Sequence, residues 1–213
     1  MPTENYMDIL VERTDCILYY AGSDLSNEQG SGWIGGNAPG FFDHQVNLIH
    51  EDNQKYLFYL SLVHPFKPER MISIFIPEDY EEYLENNIYP DCSIKVIEHP
   101  ISTESAKDLF TNPGLVKHVI SDGELSHDDK SMDQSFLIKA GGNPRLIQNE
   151  DYYFTKLEEE SFSFLFQVDE DGYPETLLQD NYSYPFSYGS LYIFAKVGAN
   201  EIQHAVAGFW QFS

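Results

Sequence analysis

The residues best suited to chemistry in this 213-residue chain are a short acidic run, Asp169-Glu170-Asp171-Gly172, and the tyrosine-rich stretch after it. Carboxylates alternating ahead of a glycine can converge on one hard cation, as in a calcium loop. The run is incomplete as an EF-hand: Gln167 stands where the opening carboxylate belongs, and no bidentate glutamate closes the loop. Glu175 and Asp180 are near enough in sequence to complete a different cation site, whereas the simpler reading is a turn ending a strand. Asp169 and Asp171 therefore stand as candidate binding residues and no metal ligand is assigned.

The second candidate is Gln179-Asp180-Asn181-Tyr182-Ser183-Tyr184-Pro185-Phe186-Ser187-Tyr188. Tyrosine combines a large apolar ring with a hydroxyl, so a loop presenting Tyr182, Tyr184, Phe186 and Tyr188 suits a protein or sugar contact. The competing reading is that these rings cover a sheet.

Other reactive side chains form no recognisable constellation. The seven histidines, at 44, 50, 64, 99, 118, 127 and 204, show no H-E-x-x-H spacing. His50-Glu51-Asp52 can chelate in principle, but it reads as an ordinary polar turn. A Ser-His-Asp triad assembles across a fold and leaves no local trace, yet no G-x-S-x-G elbow supports one. Cys16 lies in an apolar run, and Cys92 follows Asp91, which disfavours a thiolate. Two cysteines so far apart specify neither a disulfide framework nor a zinc site. The glycine loops Gly35-Gly36-Asn37 and Gly141-Gly142-Asn143-Pro144 lack the spacing of phosphate-binding loops. Glycines that permit positive φ and a proline that fixes the exit direction make them architectural joints. No catalytic residue and no cofactor is assigned.

Charge narrows the partner. With 35 Asp and Glu against 12 Lys and Arg, the formal net charge is −23. A phosphate-reading surface needs clustered Lys or Arg, so nucleic acid is disfavoured. A field of this sign attracts a basic protein, although solubility alone explains any single acidic cluster. No run approaches the ~20 apolar residues of a membrane span, and no basic leader precedes an apolar stretch. A soluble, reducing, cytoplasmic setting is expected, with no membrane partner.

The elements that must position these candidates are mostly strands. Aromatic residues make up 15% of the chain, enough with 42% hydrophobic residues to build sheet cores. Apolar positions Met7, Leu10 and Val11, with Thr3 as cap, predict a short N-terminal helix. Strands are expected at 16–20, 41–48, 55–63, 71–76, 93–98, 115–120, 162–168 and 203–212, with the segment 26–40 irregular because of its glycines. Pro77 should open a helix burying Tyr80, Tyr83 and Leu84, and 103–110 should form another. Residues 121–135 are acidic and poorly apolar, so they read as a mobile connection in which Asp128 and Asp129 are solvated.

Gly-Gly-Asn recurs at an offset of 106, and the same offset carries Tyr56-Leu57-Phe58 onto Phe162-Ser163-Phe164. Tyr192-Ile193-Phe194 matches Ser73-Ile74-Phe75 at 119, so the two offsets differ by 13 residues, assigned to an insertion around 174–188. One unit used twice is the result: a first half of about 1–120, the connection 121–135, and a second half of about 136–213. Gly142-Asn143-Pro144-Arg145-Leu146-Ile147-Gln148, Leu165-Phe166-Gln167-Val168-Asp169-Glu170-Asp171 and Gly189-Ser190-Leu191-Tyr192-Ile193-Phe194 resemble, in order, three motifs of the YwqG-like family. That bacterial family is described mainly as a domain of unknown function. Gly35, Gly36, Gly141, Gly142, Pro144, Gln148 and Gln167 are the motif residues in this chain. The first half departs from the pattern, since Pro39 is shifted by one place and Tyr56 to Leu62 lacks the glutamine.

The resemblance implies an α+β fold of two similar sheet-containing halves packed as one unit. It also implies, for some relatives, an association with bacterial toxin systems as proposed immunity proteins, and no catalytic residue. Combined with the charge and the tyrosine loop, the expected role is a non-enzymatic protein that binds a basic partner such as a toxin domain. The alternatives are a small-ligand or carbohydrate module with a pocket between the halves, and an unrecognised hydrolase.

Overall fold

Tyr-Leu-Phe-Tyr-Leu-Ser-Leu-Val at 56–63 is aromatic and apolar on both faces, the composition of a central strand covered on two sides. In the computed structural model, which describes residues 8–22, 30–50, 54–80, 87–131, 133–198 and 201–213, it has that position. The strands are β1 (Asp15–Tyr19), β2 (Ala21–Gly22), β3 (Gly32–Ile34), β4 (Tyr56–Val63), β5 (Arg70–Pro77), β6 (Lys95–Pro100), β7 (His118–Ile120), β8 (Glu124–His127), β9 (Ile138–Gly141), β10 (Ser163–Asp169), β11 (Gly189–Val197) and β12 (Ile202–Phe212). They form two antiparallel sheets of six, ordered β2-β7-β3-β4-β5-β6 and β8-β1-β9-β10-β11-β12.

The two sheets share their register. In the first, Trp33 faces Ser61 and Ile34 faces Leu60; in the second, Lys139 faces Gln167 and Ala140 faces Phe166, each 106 residues later. A bulge follows Phe58 in β4, and another follows Phe164 in β10. The chain nevertheless does not divide cleanly into halves. β1 joins the second sheet beside β9 before β2 crosses to the first, and β7 joins the first beside β3 before β8 crosses to the second. β1, from the first half of the sequence, thus lies in the second sheet, which also takes β8 from the connection.

Three apolar layers hold this together. Between the sheets, Ile34, Leu60, Ile74 and Leu62 pack with Ile138, Leu165, Phe166 and Ile193, all with no exposed surface. The outer face of the first sheet carries Trp33, Phe58, Phe75 and Met71, closed by Phe42 and Phe110. The outer face of the second carries Phe164, Tyr192, Phe194 and Phe209, closed by Tyr153 and Leu157. At roughly 1.5–3 kcal/mol per buried side chain of this size, the three layers dominate the favourable side of folding.

Several expectations are corrected. The α+β class gives way to a mostly β fold: among the described residues helix is limited to short pieces such as α1 (Asp128–Ser131), α2 (Thr155–Glu159) and tight 3-10 turns. The expected strand at 41–48 is two such turns, Gly40–His44 and Val46–Leu48, because Phe42 must point into the outer layer against Phe75 and His99. The expected helix at 103–110 does not form. Its hydroxyl and carboxylate groups bond instead across the fold, as in Ser105 Oγ to Asp43 (2.7 Å) and the Asn37 amide to Glu104 (2.8 Å). The glycine segment contains β3. Within 121–135, Glu124–His127 is the edge strand β8, with its side chains largely exposed, so its polar composition marks an edge. At the N-terminus Leu10 is buried, whereas Val11 is 58% exposed. Thr3, Met7, Tyr83 and Leu84 lie outside the described residues.

Candidate functional site

The glycine loops leave β3 and β9 in the same way. Gly35, Gly36, Gly141 and Gly142 all have positive φ, between 60° and 73°. A Cβ on Gly36 would meet the Glu104 carboxylate at 2.7 Å, and one on Gly142 would meet that of Asp128 at 2.2 Å. Each carboxylate accepts the amide N–H of the asparagine that follows, Asn37 onto Glu104 at 2.8 Å and Asn143 onto Asp128 at 3.1 Å. The Asn37 carbonyl accepts from Trp33 Nε1 at 2.9 Å, and the Asn143 carbonyl accepts from Lys139 Nζ, the residue 106 positions later. Asp128 is therefore not simply solvated. Burial pushes its carboxyl up, but Lys139 and the two Asn143 donors outweigh that and hold it below the ordinary carboxylate range.

Beyond Asn143 the chain is strapped across the outer face of the second sheet by side-chain amides. Gln167 Oε1 accepts from the Arg145 N–H at 2.7 Å. Gln211 Oε1 accepts from the Ile147 and Gln148 N–H groups at 3.0 and 3.1 Å, and its Nε2 donates to Gln148 O at 2.7 Å. Gln148 in turn accepts from the Tyr153 hydroxyl at 2.5 Å and donates to Phe212 O at 3.0 Å. A primary amide offers the donor and acceptor that a neighbouring strand would offer, so these glutamines satisfy a partly buried backbone segment that pairs with no strand. The motif residues Gln148, Gln167, Gly141 and Gly142 are thus brought together, with half-buried Pro144 between them, in a structural role.

The strap forms one wall of a groove of about 400 Å3 at the end of β10 and β11, where Asp169, Asp171 and Tyr188 converge with Arg145, Ile147 and Glu170. Asp169 is buried and committed. Its Oδ2 accepts from Arg145 Nη2 (3.0 Å) and Ser190 Oγ (2.8 Å), and its Oδ1 caps the Asp171 N–H (3.0 Å). The Arg145 guanidinium also lies 4.5 Å from the centre of the Phe136 ring and 3.6 Å from Asp171. Burial first, then the Asp171 and Asp169 charges, push the Glu170 carboxyl up against the opposing pull of the Tyr188 N–H. Asp171 keeps a side chain 66% exposed. Among the described residues no three His, Cys, Asp or Glu side chains group as a metal site.

The tyrosine loop divides. It spans 19 residues between β10 and β11 where the equivalent β4–β5 connection has six, a difference of 13. Leu178 pairs with Leu115, Val116 N–H donates to Leu177 O (2.7 Å), and Gln179 N–H donates to Gly114 O (2.9 Å), so the loop clasps the first half. Phe186 is core, edge-on to Tyr59 and tilted against Trp210, and it presents nothing to a partner. Tyr184 is half-buried over Tyr173 and accepts from the Tyr80 hydroxyl through its carbonyl. Tyr173 donates to Pro185 O (2.9 Å), which leaves Tyr59 as donor in the 2.5 Å contact between the two phenols. Tyr182 lies against Gly114, about half exposed. Tyr188 alone of the four candidates lines the groove.

Two features invited other chemistry. Ser73 Oγ lies 2.8 Å from His99 Nε2, the contact of a nucleophile and its base. His99 Nδ1 faces Pro100 O (2.7 Å), a carbonyl that only accepts, so Nδ1 carries the proton and Nε2 accepts from Ser73. Both residues have no exposed surface, which keeps a substrate from reaching them, and burial lowers His99 to about 4. The space between the sheets, where a ligand pocket was the alternative, is filled by the central apolar layer. Cys16 and Cys92 are not joined in a disulfide, and burial pushes the Cys92 thiol up to about 12. No helix among the described residues is long and apolar enough to cross a membrane.

Comparison of the chain with family models, with curated proteins and with solved structures finds no significant match. The groove and the surface around it are therefore read from their own geometry. Sequence reasoning found Asp169, Asp171 and Tyr188 but missed Arg145, Ile147, Glu170 and Gln211. Arg145 and Ile147 sit inside a motif read as a joint, and nothing local marks Gln211.

Proposed function

We propose that this chain is a non-enzymatic binding protein of YwqG-like type, built from an internal duplication and acting in the cytoplasm as an immunity-type inhibitor of a basic protein such as a toxin domain. The observation that carries the reading is the imbalance of charge. Against a formal charge of −23, at least eight of the 12 cationic side chains are already ion-paired within the fold, among them Lys67 and Arg70 on Glu98, Lys117 on Glu104 and Lys139 on Asp128. The surplus carboxylates face outward and speed encounter with a positive surface. The shared registers and the matching asparagine anchors support duplication.

The test is purification of the chain with the basic toxin-type domain encoded beside it. Binding should weaken about tenfold or more between low and high salt, and the toxin's activity should be neutralised. Absence of binding at low salt, or an affinity indifferent to salt, overturns the reading.

A further inference from the structure

Phe186 and Tyr188 share a left-handed backbone, φ 60° and 58°, yet their rings go opposite ways. Phe186 enters the core at 2% exposure, whereas Tyr188 leaves 74% of itself in solvent. Non-glycine residues seldom adopt this conformation, and burial of its ring accounts for it at Phe186 but not at Tyr188. The Tyr188 backbone is held from the far side, since its carbonyl accepts from the Ser213 N–H at 2.9 Å. The ring is thereby held out at the rim of the groove, with Ile147, 41% exposed, on the same lining.

The groove already shows how it handles a guanidinium. Arg145 stacks on Phe136 and pairs with Asp169, a ring and a carboxylate together. After that pairing the charges do not cancel: Asp169, Glu170 and Asp171 against Arg145 leave two negative charges in excess. A cavity of about 400 Å3 admits one long side chain.

We infer that this groove receives a single arginine side chain of the basic partner, its guanidinium on the Tyr188 ring and the Glu170 and Asp171 carboxylates, its methylene stem along Ile147. A planar guanidinium stacks its face on an aromatic ring while its edge donates to two carboxylates, a geometry that a tetrahedral ammonium lacks. This deepens the binding-protein reading and rests on it for the partner's identity.

The experiment uses the whole chain and a blocked Gly-Leu-Arg-Leu-Gly peptide, followed by amide chemical shifts. Saturable shifts are expected at Ile147, Glu170, Asp171 and Gly189, with none at Gly35 or Gly36. Replacing arginine by citrulline should abolish them, and Tyr188→Ala and Asp171→Asn should each weaken binding about fivefold or more while the thermal transition is kept. Shifts that fail to saturate, that centre elsewhere, or that survive citrulline overturn the inference. The toxin-type domain separates the two claims. If it binds wild type and Tyr188→Ala equally, the groove assignment fails while the inhibitor reading stands; if the peptide saturates the groove but no basic domain binds, the inhibitor reading fails while the groove assignment stands.

Discussion

Lys139 is the most informative side chain to perturb. It projects from β9 with a side chain 1% exposed, its ammonium 2.6 Å from Asp128 Oδ1 and bonded to the Asn143 carbonyl. Lys139→Met keeps most of the stem and removes the charge. Breaking a fully buried pair costs about 3–5 kcal/mol. The Asp128 side chain is 14% exposed and retains Asn143 N–H and Nδ2 as donors at 3.1 and 2.9 Å, so a smaller loss applies here. Adding the lost bond to the Asn143 carbonyl gives about 2–4 kcal/mol. Trp33 and Trp210, at 8% and 6% exposure, report unfolding by fluorescence. With a urea slope of about 2–3 kcal/mol/M, the midpoint should fall by about 1 M. In an Asp128→Asn background the cost should shrink by about 1–2 kcal/mol. Asp128 is held below its ordinary value when folded, so its contribution is present above the unfolded pKa of about 3.9 and is lost as pH falls through the folded value; the coupling must vanish there. A loss under about 1 kcal/mol at neutral pH, or one unchanged in the Asp128→Asn background, would refute the idea that the ion pair anchors the glycine loop.

Two further outcomes follow from the buried polar groups. His99 is lowered by burial to about 4, so the folded state stays neutral while the unfolded chain takes up a proton near 6.5, and stability should drop by roughly 1–3 kcal/mol between pH 6.5 and 4. His99→Gln supplies the residue found at the matching register position, Gln211 opposite Ser190 as His99 is opposite Met71, and should flatten that part of the urea-midpoint profile. Gln211→Ala leaves the Ile147 and Gln148 N–H groups without their acceptor and should cost about 2–4 kcal/mol. Amide exchange should quicken at those two residues and not at Gly35 or Gly36.

Much of the frame was legible because hydrophobic alternation and repeat spacing are local signals. Tyr56 to Val63, the strand at 71–76 and the last strand formed where the pattern placed them, and the 13-residue excess fell between β10 and β11 because offsets of 106 and 119 bracket it. Helix signals were less reliable. Thr103 to Phe110 carries a cap and a proline stop, yet its polar side chains find better partners across the fold than along a helix. The acidic stretch read as a linker supplies an edge strand, because four largely exposed residues need only one neighbour to pair with.

The sequence by itself determined that the chain builds sheets, that two segments share a loop and a strand register, and that the chain carries a formal charge of −23. Which residues meet was decided by the tertiary structure. The pairings of β1 with β9 and of β3 with β7 are non-local, and no window of residues records them. The choice between Phe186 and Tyr188, alike in φ and separated by one serine, was made by the space beside Tyr59 and Trp210. That space accepts one ring, and the other is left on the surface with two carboxylates.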